Sequence, residues 1–276
     1  LTVAKFIVDH KDELCGRIKI VFQPAEEGVR GANAVAESGV LDDVDYFVGS
    51  HIGMVAKYGE VVIDPWGFLC TTKFDVTYTG KPAHAGIEPN AGRNALAAAC
   101  SATLQLLGIP RHGSGMTRVN VGMLNAGKGR NVIPPNATMV MEVRGETAEI
   151  NDYMAEQAMA IIKGNAVSYG VDYDVRKMGA ACDMKNDPDM IDALREVAKG
   201  IPEIKTITEK ANFGGSEDAS LLARRVKDHG GKVAFFVNGA DREAGHHQFN
   251  FDVNEEALDT GFKMFAGMVK KICGRK

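Results

Sequence analysis

Apolar residues recur at helical spacing through Leu1-Thr-Val-Ala-Lys-Phe-Ile-Val-Asp-His-Lys-Asp-Glu, with charged residues between them, which predicts an amphipathic helix. No capping residue precedes it, so we expect the remainder of a longer polypeptide. The pattern then shortens: Arg17 to Gln23 reads as an apolar strand, Val29 to Ser38 as an Ala-rich helix closed by Gly39, and Asp45 to Ile52 as a second apolar strand. Strand, helix and strand at this spacing predict a right-handed βαβ unit whose two strands run parallel. In such sheets functional groups collect beyond the carboxyl ends of the strands, where Glu26, Glu27 and His51 fall.

From Phe68 the texture changes to strict alternation. Phe74, Val76 and Tyr78 share one face of Lys73 to Thr79, Arg118 to Leu124 and Thr138 to Arg144 alternate likewise, and Val171 to Met178 offers a fourth strand. These read as one-sided antiparallel strands, with helices at Asn94 to Leu107 and Glu146 to Ser168 between them. After Asp183 the buried pattern returns. A helix opens at Asp187-Pro188 and closes at Gly200, Thr206 to Glu209 is a short strand, and Ser216 caps a helix through Arg225. Lys232 to Val237 is an apolar strand, and Asn254-Glu-Glu opens a last helix ending in Lys270-Lys271, acid first and base last. The expected fold class is α/β: a mostly parallel sheet with flanking helices, N-terminally incomplete, in two segments (1–67 and 184–276). Between them, 68–183 forms an inserted α+β lid or dimerisation domain with a four-stranded antiparallel sheet and two helices.

Composition narrows the function classes. With 45% hydrophobic residues, a chain of 276 can fill a core. Its 32 basic and 36 acidic residues leave a net charge of −4 with no dense Lys/Arg cluster, which argues against nucleic acid as a partner. Cys15, Cys70, Cys100, Cys182 and Cys273 are widely spaced with no Cys-x-x-Cys pair, so a reducing cytoplasm fits better than a disulfide framework. No apolar run approaches the roughly 20 residues of a membrane span, and the opening residues read as neither a signal nor a transit peptide.

Three elements carry candidate chemistry. Adjacent carboxylates at Glu26 and Glu27 can divide labour, one binding a cation while the other moves protons, although a bare Glu-Glu pair also suits a solvated turn. His51 at a strand end is a candidate metal ligand or a hydrogen-bonded core histidine, and His246-His247 is a candidate ligand pair or a surface pair. Gly127-Lys-Gly-Arg lacks the spacing of a phosphate loop, and the many Met residues read as core packing.

Six segments in order, Phe22-Gln-Pro-Ala-Glu-Glu-Gly, Gly49-Ser-His-Ile, Gly80-Lys-Pro-Ala-His-Ala-Gly, Gly129-Arg-Asn-Val-Ile-Pro-Pro, Gly215-Ser-Glu-Asp and His247 ahead of Phe251-Asp-Val-Asn-Glu, resemble the signature of the M20 family of dinuclear-metal amidohydrolases and peptidases. Val44-Asp-Tyr-Phe, Thr71-Thr-Lys-Phe-Asp-Val, Gly92-Arg-Asn-Ala-Leu, Arg118-Val-Asn-Val-Gly and Ala244-Gly-His-His resemble the branch that acts on aminobenzoyl-glutamate. The resemblance implies Glu26 as general base, Glu27, His51 and His247 as ligands of two divalent ions (zinc or manganese), and His84, Asn131 and Arg144 as lid residues that meet the substrate. It implies hydrolysis of an amide joining an acyl or aroyl group to an amino acid, with p-aminobenzoyl-glutamate leading. A general N-acyl-amino-acid deacylase, a carboxypeptidase and an inactive dimerising subunit stand as alternatives. It further implies a homodimer through the lid, with His84 delivered across the interface, and leaves room for a second related subunit. Arg144 agrees in chemistry, since a guanidinium fork suits a carboxylate better than Lys does, though a solvated strand-end charge is the plainer reading. The family's Cys-Gly-His-Asp type segment, which supplies further ligands upstream of the first helix, has no counterpart in the sequence. The three ligands present fall short of what two ions need, so weak metal binding and little turnover are expected of the chain alone.

Overall fold

The computed structural model describes residues 1–245 and 248–275, with only the backbone at Glu27. Two four-stranded sheets organise it. The first contains β1 (Tyr46–Ile52), β2 (Glu60–Trp66), β7 (Thr206–Asn212) and β8 (Lys232–Asn238) in the order β1-β8-β2-β7. β1 runs parallel to β8 and β2 parallel to β7, and the two pairs meet antiparallel only at Val61↔Asn238 and Val62↔Val237. β8 is apolar and buried from Val233 to Val237, as a strand covered on both faces must be. On one side Phe236, Ile63 and Val61 pack against α5 (Pro188–Lys199) and α7 (Ala257–Cys273) through Leu194, Met264 and Met268. On the other, Val62, Phe235 and Val237 meet Phe68 and Phe213.

The second sheet is wholly antiparallel, in the order β4-β5-β3-β6, from β3 (Cys70–Thr79), β4 (Thr117–Ala126), β5 (Asn136–Gly145) and β6 (Asp172–Ala181). One face is apolar: Phe74, Val76, Tyr78, Met139, Met141 and Val143 bury against Ala98, Ala102 and Leu106 of α3 (Ala95–Leu107) and Met154 and Ile162 of α4 (Ala148–Tyr169). Asn94 caps α3 by accepting from the Ala97 amide at 3.0 Å, and Gly170 ends α4 with a left-handed φ of 60°. The other face keeps polar residues, among them Lys73, Asp75, Glu142 and Arg144. The mixed α/β fold expected from the sequence, a mostly parallel sheet with a separate antiparallel one, is therefore observed.

Two expectations need correction, and one strand has no counterpart in the sequence pattern. Arg17 to Gln23 forms no strand and no parallel partner for β1: Ile20, Val21 and Phe22 lie exposed, and polar side chains tether the segment, Arg17 and Lys19 to Asp43, and Gln23 to Asp218. An extended segment becomes a strand only through a neighbour's backbone groups, and here side chains take that place. β2 carries no clear strand signal, because Asp64-Pro65 interrupts its apolar run. Pro65 is tolerated because β8 pairs with β2 only at Val61 and Val62, so no ladder bond is lost on that side. Ser216 does not cap α6 (Ala219–Asp228): its hydroxyl donates to the Leu69 carbonyl at 2.7 Å, tying the loop after β7 to the start of β3.

Among the described residues no helix is long and apolar enough to cross a membrane. Burial, reinforced by the charge of Asp183, pushes the Cys70 thiol up to about 12. We expect iodoacetamide at pH 8 to modify exposed Cys15 and Cys100 within minutes, and Cys70 and Cys182 only after denaturation; rapid labelling of Cys70 in the native protein, read by mass spectrometry, would contradict this burial.

Candidate metal and catalytic site

Glu26 opens a single 3₁₀ turn, Glu26–Gly28, between two residues in the left-handed region, Ala25 at φ 59° and Val29 at φ 49°. A β-branched residue there is strained, by about 1–3 kcal/mol, and persists only where surroundings impose it. They do. The Val29 carbonyl accepts from the Ala180 amide at 2.8 Å, and Gly179 lets the turn approach so closely that a Cβ there would lie 2.5 Å from the Gly28 oxygen. Asp218 grips both flanks of the turn: Oδ1 accepts from Gln23 Nε2 at 2.6 Å and Oδ2 from the Ala32 amide at 3.2 Å.

The result is a cluster. Carboxylate oxygens of Glu26, Glu217 and Asp218 lie within 4.8 Å of one another, with Glu217 and Asp218 buried and Glu26 partly so. Burial raises the Asp218 pKa, while the bonds from Gln23 and Ala32 oppose the rise. Carboxylates this close are stabilised by a nearby proton or cation, and hard oxygen donors suit a divalent ion. Such an acidic cluster offers a divalent ion bound nearby a favourable field, while the ligands that the sequence implied are Glu27, His51 and His247.

His51 ends β1, one residue before its last. Its Nδ1 lies 2.8 Å from the Ile52 carbonyl, so Nδ1 carries a proton and donates to it, the kind of backbone bond that orients a metal-ligating imidazole. Its ring stands edge-on to Phe213 at 5.2 Å, and Phe213 opens the loop that carries Glu217 and Asp218. One loop thus borders both His51 and Glu26.

The family model described as Peptidase family M20/M25/M40 matches residues 1–271. The chain belongs to this family. It is 52% identical over 272 residues to a protein of Haemophilus influenzae named as a homolog of one p-aminobenzoyl-glutamate hydrolase subunit, covering 99% of this chain and 64% of that protein. It is 46% identical over 261 residues to the indole-3-acetyl-aspartic acid hydrolase of Enterobacter agglomerans, covering 94% of this chain and 60% of that one. The crystal structure of the aminobenzoyl-glutamate utilization protein from Klebsiella pneumoniae superposes with a TM-score of 0.89 at 40% identity, over 98% of this chain and 65% of that one. This M20 chain thus spans less than two thirds of the length of these relatives.

The remaining predicted residues divide into groups. The Glu27 side chain, His246 and His247 lie outside the described residues. His84 and Asn131 are brought together, since β3 and β5 keep pairing beyond Thr79↔Asn136 through Gly80–Pro135, Ala83–Ile133 and Ala85–Asn131. Arg144 sits at the other end of β5, with Nε and Nη2 donating to the two oxygens of Glu142 at 2.9 and 3.2 Å. Asn136 to Arg144 at about 3.3 Å per residue is about 26 Å, so one chain cannot hold all three around one ligand. The Arg144 end is the one beside Glu26, because Thr71, opposite Arg144, also pairs with Ala181, next to the Ala180 that binds Val29.

Glu217 and Asp218 had no assigned role in the sequence, although Gly215-Ser-Glu-Asp was singled out. The signal was an acidic pair between a Gly-Gly turn and a helix whose inward positions are Ser220, Leu222 and Ala223. We expect Asp218→Ala to release the Glu26 turn, destabilising the fold by about 2–4 kcal/mol, because it leaves the Gln23 and Ala32 donors unpaired. Denaturant midpoints would check it; an unchanged midpoint would remove Asp218 from this role. The sign with pH follows from the raised pKa: Asp218 favours the folded state most when protonated, and its contribution falls as pH rises through that pKa.

Proposed function

We propose that the full-length protein hydrolyses the amide between an acyl or aroyl group and an amino acid, with p-aminobenzoyl-glutamate as the leading substrate. The observation that carries the reading is the convergence of Glu26 with buried Glu217 and Asp218 in an M20 chain, 52% identical to a protein named for that hydrolysis.

Two divalent ions, zinc or manganese, would be held by Glu27, His51 and His247 with upstream ligands, and when bound supply the Lewis acidity that lowers the pKa of a water molecule. Glu26 takes the proton of the attacking water and returns it to the departing amine. The carboxylates of Glu217 and Asp218 lie within 4.8 Å of Glu26. Arg144 holds the amino-acid carboxylate: Glu142 occupies its Nε–Nη2 edge and fixes the orientation of the guanidinium, leaving Nη1 for a second carboxylate. Asn131 and His84, remote from Arg144 in their own chain, act in the site of a second copy, which makes the working unit a homodimer joined through the lid, 68–183, inserted between 1–67 and 184–276. The Haemophilus relative is named for one component of its hydrolase, which leaves room for a further, related chain.

The test is a substrate panel on the metal-loaded full-length enzyme. Release of p-aminobenzoate from p-aminobenzoyl-glutamate should exceed the hydrolysis of N-acetyl amino acids and dipeptides; a reversed order would replace this reading by a general deacylase or a peptidase.

A further inference from the structure

The register of the lid sheet sets Arg118 directly across from Arg144. Both lie on the face away from the helices, since their neighbours Val119 and Val143 pack into the apolar core. Directly opposed residues on antiparallel strands have Cβ atoms about 5 Å apart, and like charges so placed repel. The anion beside the two arginines is Glu142, both of whose oxygens Arg144 engages; Asp75, the next acidic side chain along this face, stands opposite Arg176. Lys73 faces Glu142 from the other side. Arg118, Arg144, Lys73 and Arg176 against Glu142 and Asp75 leave a surplus of two positive charges on this part of the face, beside the strand end that adjoins the Glu26 turn. Arg118 is exposed and donates from Nη1 to the carbonyl of its neighbour Thr117 at 2.8 Å, with no carboxylate partner among the described residues.

We propose that Arg118 is a specificity-determining residue that takes the side-chain carboxylate of a dicarboxylic amino-acid moiety while Arg144 takes the α-carboxylate. The inference rests on the amide-hydrolase reading above and deepens it. A substrate with one carboxylate needs one guanidinium fork. A second fork on the neighbouring strand suits a second carboxylate displaced by the length of an aspartyl or glutamyl side chain, and that dianion offsets both surplus charges. The occupant is therefore an amide of aspartate or glutamate in preference to one of a neutral amino acid. Arg118 lies on the edge strand β4 and outside the core, so replacing it leaves the packing intact.

The experiment compares N-benzoyl-L-glutamate with its neutral isostere N-benzoyl-L-glutamine on the metal-loaded full-length enzyme, with Arg118→Gln and Arg118→Lys beside the wild type. Arg118→Gln should lower kcat/KM for the glutamate substrate by about 10–100-fold, through KM, while leaving the glutamine substrate unchanged. Arg118→Lys, which keeps the charge without the fork, should fall between. Equal losses on both substrates, or an unchanged ratio, overturn the assignment. Calorimetric titration with the same two compounds separates the two readings. Hydrolysis of neither by the wild type would remove the amidase reading alone, and equal wild-type affinity for both would overturn the role of Arg118 whatever the turnover.

Discussion

Replacing Glu26 by Gln in the metal-loaded full-length enzyme is expected to lower kcat by about 10²–10⁴-fold, the usual worth of a positioned general base, or about 3–5.5 kcal/mol of barrier. Gln has nearly the same shape and can keep its hydrogen bonds on the 3₁₀ turn, but it cannot carry a proton from water to amine. Metal content should stay that of the wild type, because the proposed ligands are other residues. The structure adds an expectation that a plain surface base would not give. Glu26 is one of three carboxylates within 4.8 Å, so removing its charge lessens the like-charge crowding around the turn, and the unfolding midpoint should hold or rise. Loss of metal together with activity would make Glu26 a ligand, and retained kcat would take it out of the chemistry.

The sequence reveals most where one physical rule dominates. Alternation in Lys73 to Thr79 marks a one-sided strand because helices cover only one face of that sheet, and the strand runs from Cys70 to Thr79. The continuous apolar run at Lys232 to Val237 marks a strand buried on both faces, and it became β8. Arg17 to Gln23 is also rich in apolar and β-branched residues yet forms no strand, because strand structure is a property of a pair and no sequence pattern supplies the partner. The site divides along the same line. Glu26 could be singled out through its neighbours in the chain. Asp218 is 192 positions away (218 − 26), and its grip on Gln23 and Ala32 is a tertiary fact that no local pattern encodes. The pairing of Arg118 with Arg144 depends on the register across a bulge between Val121 and Met123, which single-strand periodicity does not fix.

Mixing two inactive variants should restore activity, and this tests where His84 works. The Gly86 amide donates to His84 Nδ1 at 3.1 Å, so the neutral ring carries its proton on Nε2, a donor suited to a developing oxyanion. His84 is exposed beyond the far end of a strand pair about 26 Å long, whereas the Glu26 turn adjoins the near end. No rotamer closes that gap, so His84 can reach a Glu26 cluster only in a second copy. His84→Ala should therefore cost about 10²–10³-fold in kcat, as loss of one oxyanion donor does. Exchange of protomers between equal amounts of the Glu26→Gln and His84→Ala dimers should then recover about a quarter of the wild-type rate, because half the dimers are mixed and each mixed dimer has one intact site. Native mass spectrometry would verify the exchange. Mixed dimers that form but stay inactive would mean that His84 does not act across the interface, and with it the argument for a homodimer as the catalytic unit would fall.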